Sequence, residues 1–292
     1  MKIALHGRKF DPDYRLFMAQ LVEELSAFDV SLCIYEPLLS FMQNELHISL
    51  PMAHSFSSTE KLPNDTHCLI NIGGDGTFLD SMSLIHDSGI PVVGVNLGRL
   101  GFLANVSFEN ITESIEAILT GKYTIEDRSI LQIQADILPN DIYPYALNEV
   151  GIQHHTPSMI SISVKINNEK LPTYWSDGLL VATPTGSTAY ALSVGGPIMT
   201  PDAKNFIIAP IAPHNLNVRP MVIPDTAVLE ISVFARKDNA FLTFDRQELE
   251  VPSGTKLTVK KAPFSLRFIR LNGNSFFTTL HEKLAWGIDK RN

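Results

Sequence analysis

The sequence predicts an α/β domain built on a parallel sheet, followed by a β-rich second domain. Three observations carry that expectation. Short apolar runs alternate with amphipathic segments through the first third of the chain, the pattern of a parallel sheet covered by helices on both faces. Further on the period changes to two: Ile160, Ile162, Val164 and Ile166 alternate with Ser161, Ser163 and Lys165, as in a strand exposed on one face. The 292 residues, 45% apolar and 18% charged, suffice for one large domain or two ordinary ones and exclude disordered and fibrous chains.

The elements follow in order. Ile3-Ala4-Leu5 reads as a short buried strand. Tyr14, Phe17, Met18, Leu21, Val22, Leu25 and Phe28 fall on one helical face, with Arg15, Gln20, Glu23 and Glu24 on the other. Val30–Tyr35, Cys68–Ile72 and Val92–Val95 are apolar runs of strand length, and 51–66, with two Pro and Asn64-Asp65, reads as a loop. Ile111, Ile115, Ile118 and Leu119 mark a helix that Gly121 should cap. Strands are expected at 129–137, 145–153, 178–183, 227–234, 240–245, 256–261 and 265–271, and an amphipathic helix through Thr279–Ile288 with Leu280, Leu284 and Trp286. The α/β part is thus placed at 1–125 and the β-rich part at 126–277.

Composition narrows the function. With 31 acidic and 23 basic residues the formal net charge is −8, a poor basis for gripping nucleic acid or an anionic membrane. Gly178–Pro201 lacks charge for 24 residues, but its four Gly and three Pro argue against a membrane helix. Cys33 and Cys68 are too few for a disulfide framework or a zinc site, and the N-terminus turns polar at Arg8-Lys9 before a signal-peptide core could form. A soluble cytoplasmic protein is expected.

The most informative motif, Gly73-Gly74-Asp75-Gly76-Thr77, lies where a buried strand meets a helix. There, glycine-rich backbone lets N–H groups approach phosphate oxygens, and the helix adds its positive end. An Asp in such a place would repel phosphate unless it held a metal or took a proton from a hydroxyl. No Walker sequence, dinucleotide-binding G-x-G-x-x-G or nucleophile elbow occurs, and His154-His155 on a strand would point to opposite faces. Asn96-Leu97-Gly98-Arg99-Leu100-Gly101-Phe102-Leu103 follows the next strand and reads equally as a linking loop or a phosphate-side element. Six hydroxyl side chains between Thr183 and Ser193 are denser than a core would carry and suit the hydroxyls and ring edges of a nucleoside. Asp177 and Asn148-Glu149 could accept hydrogen bonds from ribose diols.

Together these residues resemble the NAD kinases, which phosphorylate the adenosine ribose 2′-hydroxyl of NAD. The match comprises GGDGT at 73–77, NLGRLGFL at 96–103, Asn148-Glu149, DGLLVATPTGSTAYALSVGGPI at 177–198 and His214–Pro220, in order along nearly the whole chain. GGDGT alone is shared with lipid kinases; the TPTGSTAY block discriminates. The resemblance implies that Asp75 accepts the hydroxyl proton, with Gly73, Gly74, Gly76 and Thr77 near the phosphates of ATP. It implies NAD binding by Asp75, Gly76, Asn148, Glu149 and Asp177, by Thr188, Ala189, Tyr190, Ala191, Leu192 and Ser193, and by Gln247 of a late Asp245-x-Gln247 motif. It also implies a two-domain fold whose C-terminal segment 278–292 rejoins the first domain, a divalent cation such as Mg²⁺, and a homo-oligomer, dimer or tetramer. No metal ligand is assigned. Two positions depart from relatives: Arg246 replaces a small residue, and Trp175 replaces a basic or small one, so no preference between NAD and NADH carries over. The competing readings are a GGDGT-type lipid or sugar kinase and a non-catalytic NAD(P)-sensing module. The hydroxyl-rich segment 177–201, which contains no basic residue, favours a nucleoside acceptor over a lipid.

Overall fold

The computed structural model describes residues 1–50, 53–57, 62–154, 159–235, 239–273 and 275–284. His155, Trp286, the end of the predicted C-terminal helix and parts of the 51–66 loop lie outside them. Two compact units emerge, Met1–Asp127 with Leu266–Asn292, and Arg128–Ser265.

In the first unit the apolar runs become strands of one sheet, in the order His54–Phe56, Ser31–Tyr35, Lys2–Gly7, Cys68–Ile72, Val92–Asn96, Leu266–Leu271 and Tyr123–Arg128. The first six pair in parallel, with Ile3 opposite Cys68 and Leu69 opposite Val92. Helices Arg15–Ala27, Glu36–Asn44 and Ile111–Leu119 bury Met18, Leu21, Leu38, Met42 and Ile115 against Ile3, Leu5, Ile70 and Val93. On the other face, Phe78 of helix Asp75–Ile85 meets Phe268 with ring centroids 5.8 Å apart. Gly121 ends the Ile111–Leu119 helix at φ +73° as expected. Strand order turns at the first strand: the chain goes to one side for Ser31–Tyr35 and to the other for Cys68–Ile72. Ligands of open α/β sheets bind beyond the carboxyl ends of strands at such a reversal.

The predicted strand 265–271 forms as Leu266–Leu271 but does not continue the β-rich series. Phe268 pairs with Val92, and the strand buries Leu266, Phe268, Ile269 and Leu271, as an inner strand covered on both faces must. Tyr123–Arg128, which the sequence reading passed over, lies beside it at the sheet edge.

The second unit is a sandwich of antiparallel sheets. One runs Met221–Pro224, Asn205–Ile211, Gly178–Ala182, Glu149–Gln153, Ala240–Phe244 and Gln247–Val251. The other is built on Ile160–Ile166, Leu229–Phe234, Lys256–Lys261 and Leu131–Gln134. Alternate residues of both sheets, among them Ile162, Val164, Ile231, Val259, Val150, Val181 and Phe244, fill one core. The predicted strand 145–153 is interrupted: Tyr145–Ala146 belongs to one sheet and Glu149–Gln153 to the other, so Leu147-Asn148 carries the chain between them. Among the described residues no helix is long and apolar enough to cross a membrane.

Gly94 shows how tightly the first unit is built. A Cβ there would lie 2.6 Å from Ala104 Cα and from Leu103 O, both backbone atoms. Gly94→Ala is expected to cost about 1–3 kcal/mol through overpacking, read as a lower midpoint in urea unfolding.

Candidate active site

Strand Cys68–Ile72 ends in Gly73-Gly74, and helix Asp75–Ile85 begins at once with Gly74 as its N-cap. Asp75 is therefore the first helical residue rather than part of a free turn, and its charge suits the positive end of the helix. Its carboxylate is tied down. Oδ1 accepts from Leu103 N at 3.0 Å and Ala104 N at 2.9 Å, and Oδ2 accepts from Phe102 N at 3.0 Å. Gly101 makes room for it: a Cβ at 101 would fall 1.9 Å from Asp75 Oδ1. The GGDGT and NLGRLGFL motifs are thus two halves of one device, which answers what the second motif is for. Oδ2, with one bond, retains capacity to accept a second. Beneath the loop, the buried amide of Asn71 lies 2.7 Å from His6 Nδ1. With its NH₂ toward that ring it also donates to Thr77 O, and its oxygen accepts from Phe78 N. Burial holds the His6 ring below its ordinary pKa, in the neutral form that accepts this bond.

Beside this loop lies an open cleft of about 340 Å³ lined by Arg8, Lys9, Gly73, Gly74, Thr77 and Gly98 among others. It sits at the strand-order reversal, where Gly7 and Ile72 end neighbouring strands. Gly76, in the same first turn, is not among the lining residues. Arg8 and Lys9 went unassigned in the sequence reading. Each has an acidic neighbour, Asp80 for Arg8 and Glu45 for Lys9, both at 2.6 Å. Their only sequence signal was position: two cations directly after the first strand. The cleft combines backbone N–H groups, a helix N-terminus and two cations, a chemistry suited to phosphate.

In the second unit the structure gathers Asn148, Glu149, Asp245 and Gln247 with the start of the TPTGSTAY block. Asp245 Oδ2 accepts from Leu147 N at 2.7 Å, and Oδ1 from Asn148 N at 2.8 Å and Glu149 N at 3.2 Å. Gln247 Nε2 donates to Tyr143 O at 3.0 Å, so its amide holds the chain leading into that segment. Asp245 and Arg246 form the two-residue turn between paired Phe244 and Gln247, with Arg246 exposed. Burial pushes the Asp245 carboxyl up to about 6, against the pull of its three N–H bonds. Burial, with the Asp245 charge adding to it, pushes Glu149 up to about 8. Among the described residues, Glu149 Oε2 and Thr185 Oγ1 are buried and find no hydrogen-bond partner.

The hydroxyl-rich segment is more internal than its composition suggests. Residues 183–187 are all buried, and the hydroxyls of Thr183 and Ser187 bond to backbone. Thr183 Oγ1 donates to Leu147 O, while Ser187 Oγ donates to Pro184 O and accepts from Met199 N. Thr188, Ala189 and Leu192 are half-buried, and Tyr190 and Ser193 are exposed. The Ala191 side chain does not line a pocket: it packs with Leu180, Ala182, Met199, Ile207 and Ala209 on the outer face of the sheet. Asp177 is exposed at the opposite end of strand Gly178–Ala182 from Thr183, a span on the order of 17–20 Å at strand rise. Within this chain it does not join the Asn148–Glu149 cluster. Trp175 is 49% exposed on an edge strand and plugs no core. His154 is buried, just past the end of its strand.

Comparison with known proteins decides the family. Residues 46–123 match the ATP-NAD kinase N-terminal domain and residues 147–271 the ATP-NAD kinase C-terminal domain. NAD kinases from Christiangramia forsetii and Bacteroides fragilis are 39% and 40% identical to this chain, over all of both proteins in each case. The chain belongs to the NAD kinase family. Two solved structures, each 22% identical, share its fold. Yeast NADH kinase complexed with NADH has a TM-score of 0.85, over 99% of this chain and 89% of that one. The Archaeoglobus fulgidus NAD kinase in complex with ATP has a TM-score of 0.73, over 98% and 100%.

Among the described residues of this NAD kinase, no three His, Cys, Asp or Glu side chains gather as a metal cage. Glu149 makes a distinctive mark on stability. Its native carboxyl titrates near 8 and the free side chain near 4.5, so between these values the folded protein holds a proton that the unfolded chain has released. Stability from this group falls as pH rises through that window. Glu149→Gln removes the proton linkage. Thermal melts from pH 5 to 9 are expected to show a smaller fall in Tm for the variant, which exceeds the wild type at pH 9.

Proposed function

We propose that this chain transfers the terminal phosphoryl group of Mg²⁺–ATP to the adenosine ribose 2′-hydroxyl of NAD, giving NADP and ADP. The observation that carries the reading is the carboxylate of Asp75, held by three backbone N–H groups at the head of a helix next to a cation-lined cleft. The full-length match to NAD kinases supports it and leaves the lipid- or sugar-kinase and sensing-module readings without a specific observation in their favour.

Phosphoryl transfer needs alignment and charge neutralisation more than covalent help. In the first unit, Gly73 and Gly74 offer backbone N–H groups to the donor phosphates, Arg8 and Lys9 add positive charge, and Thr77 borders the cleft. Gly76 lies in the same first helical turn. A divalent cation bound with the nucleotide would neutralise charge on the donor phosphate oxygens. Asp75 accepts the 2′-hydroxyl proton as the ribose oxygen bonds to the terminal phosphorus and the bridging oxygen leaves with ADP. Its three N–H bonds orient the carboxylate, and the open acceptor site on Oδ2 takes the hydroxyl.

In the second unit, Asn148, Glu149 and the exposed ring of Tyr190, flanked by Thr188, Ala189, Leu192 and Ser193, provide the dinucleotide's contacts. Ala191 contributes through backbone, and Gln247 by holding Tyr143. Asp177 binds ribose from the far end of its strand. The same reading takes the enzyme as a cytoplasmic homo-oligomer, dimer or tetramer. Cys33 and Cys68, both buried and in no disulfide, suit a reducing compartment. The edge strand Met221–Pro224 leaves Met221 and Val222 exposed, an edge that association would cover.

Asp75→Asn is expected to lower turnover about 10²–10⁴-fold while NAD affinity by calorimetry stays within about threefold. Turnover near that of the wild type would reduce Asp75 to a helix-start residue. Arg8→Ala is expected to raise the KM for ATP about tenfold, as loss of a charge-assisted phosphate contact would, with the KM for NAD unmoved in an assay of NADP formation.

A further inference from the structure

Residues 147–149 cross from one sheet of the second unit to the other. A crossing of this kind leaves backbone groups without ladder partners, yet here all six are satisfied. Leu147 N, Asn148 N and Glu149 N donate to the Asp245 carboxylate at 2.7, 2.8 and 3.2 Å. Leu147 O accepts from Thr183 Oγ1 at 2.5 Å, Asn148 O from Thr183 N at 2.9 Å, and Glu149 O from Asp245 N at 3.1 Å. Two residues therefore supply every partner. Each comes from a different strand neighbouring Glu149–Gln153, one at the end of Gly178–Ala182 and the other in the turn after Ala240–Phe244.

We propose that Asp245 and Thr183 are positioning residues of the dinucleotide site, clamping the 147–149 backbone so that the Asn148 and Glu149 side chains are presented to NAD. The inference rests on the functional reading above. Its strength is in what the clamp leaves over. Among the described residues, Glu149 Oε2 and Thr185 Oγ1 are buried without a hydrogen-bond partner. Two buried polar groups on adjoining segments stay uncommitted while the backbone beneath them is fully committed. Orphaned buried polar groups are costly in a folded protein unless a ligand completes them. Asp245 adopts φ +50° to reach all three N–H groups, a conformation uncommon outside glycine that Asp tolerates in turns. The carboxylate, with two acceptor oxygens, matches three adjacent donors, whereas an amide would turn its NH₂ onto at least one of them.

The test is steady-state NADP formation by wild type, Asp245→Asn, Thr183→Val and Thr183→Ser, varying NAD and ATP separately, with Tm recorded for each. Asp245→Asn and Thr183→Val are expected to raise the KM for NAD about tenfold while the KM for ATP stays within about twofold and kcat within about threefold. Thr183→Ser, which keeps the hydroxyl, is expected to restore the wild-type KM for NAD. The inference is overturned if the NAD KM of both clamp variants stays within about twofold of wild type. It is equally overturned if kcat and both KM values shift together in step with lost Tm, the mark of a merely structural role. Should Asp245→Asn fail to fold, the Thr183 pair decides alone. A wild type that forms NADP while the variants keep its NAD KM sinks the positioning role and leaves the functional reading standing; a wild type that forms no NADP sinks both.

Discussion

One interaction recurs in both units, and the chemistry depends on it: an aspartate carboxylate taking three consecutive backbone N–H groups. Asp75 holds 102–104 and Asp245 holds 147–149. In each case the chain has left regular pairing, so its donors would otherwise be buried without partners, at a cost of about 1–3 kcal/mol apiece. A carboxylate offers two acceptor oxygens with about four lone-pair sites, enough for three donors. The two uses differ in which partner is on display. In the proposed reaction the acid of Asp75 itself meets the hydroxyl, and the loop serves it. At Asp245 the acid is the support and the loop carries the side chains that matter.

Electrostatics in this protein is local. A net charge of −8 suggests a molecule badly suited to a polyanionic nucleotide, with magnesium left to neutralise most of the phosphate charge. The first sheet changes that picture by setting Arg8 and Lys9 beside the glycine loop and a helix N-terminus. Charges farther off are screened within about 8 Å at physiological ionic strength, so the cleft answers to its own lining rather than to the chain's total. The second unit shows the opposite arrangement. Two acids, Glu149 and Asp245, share a buried corner, and burial together with their proximity favours keeping a proton there at neutral pH.

Much of this was legible from residue order. The Tyr14–Phe28 stripe became helix Arg15–Ala27 because seven apolar side chains at helical spacing leave little alternative. The GGDGT loop was recognisable because three glycines after an apolar strand are hard to explain otherwise. The density of hydroxyls at 183–193 was misread as surface, since composition cannot show that Thr183 and Ser187 bond to nearby backbone and can be buried. Ala191, counted as pocket lining, proved to be core. The break at Leu147-Asn148 was invisible because Leu147 prolongs the short run Tyr145–Ala146 and the next strand, Glu149–Gln153, resumes at once.

By itself the sequence determined the element types, the glycine-aspartate loop, and the family through motifs kept in order along the chain. Those are matters of local periodicity and short-range spacing, which a linear reading captures. Only the tertiary structure decided that Gly101 makes room for Asp75, that Arg8 and Lys9 border the cleft beside the glycine loop, and that Asp245 and Thr183 together hold the backbone of Asn148 and Glu149. Each of these joins residues 26 or more positions apart, and which of many distant donors meets a given acceptor depends on strand order and register, which periodicity does not encode.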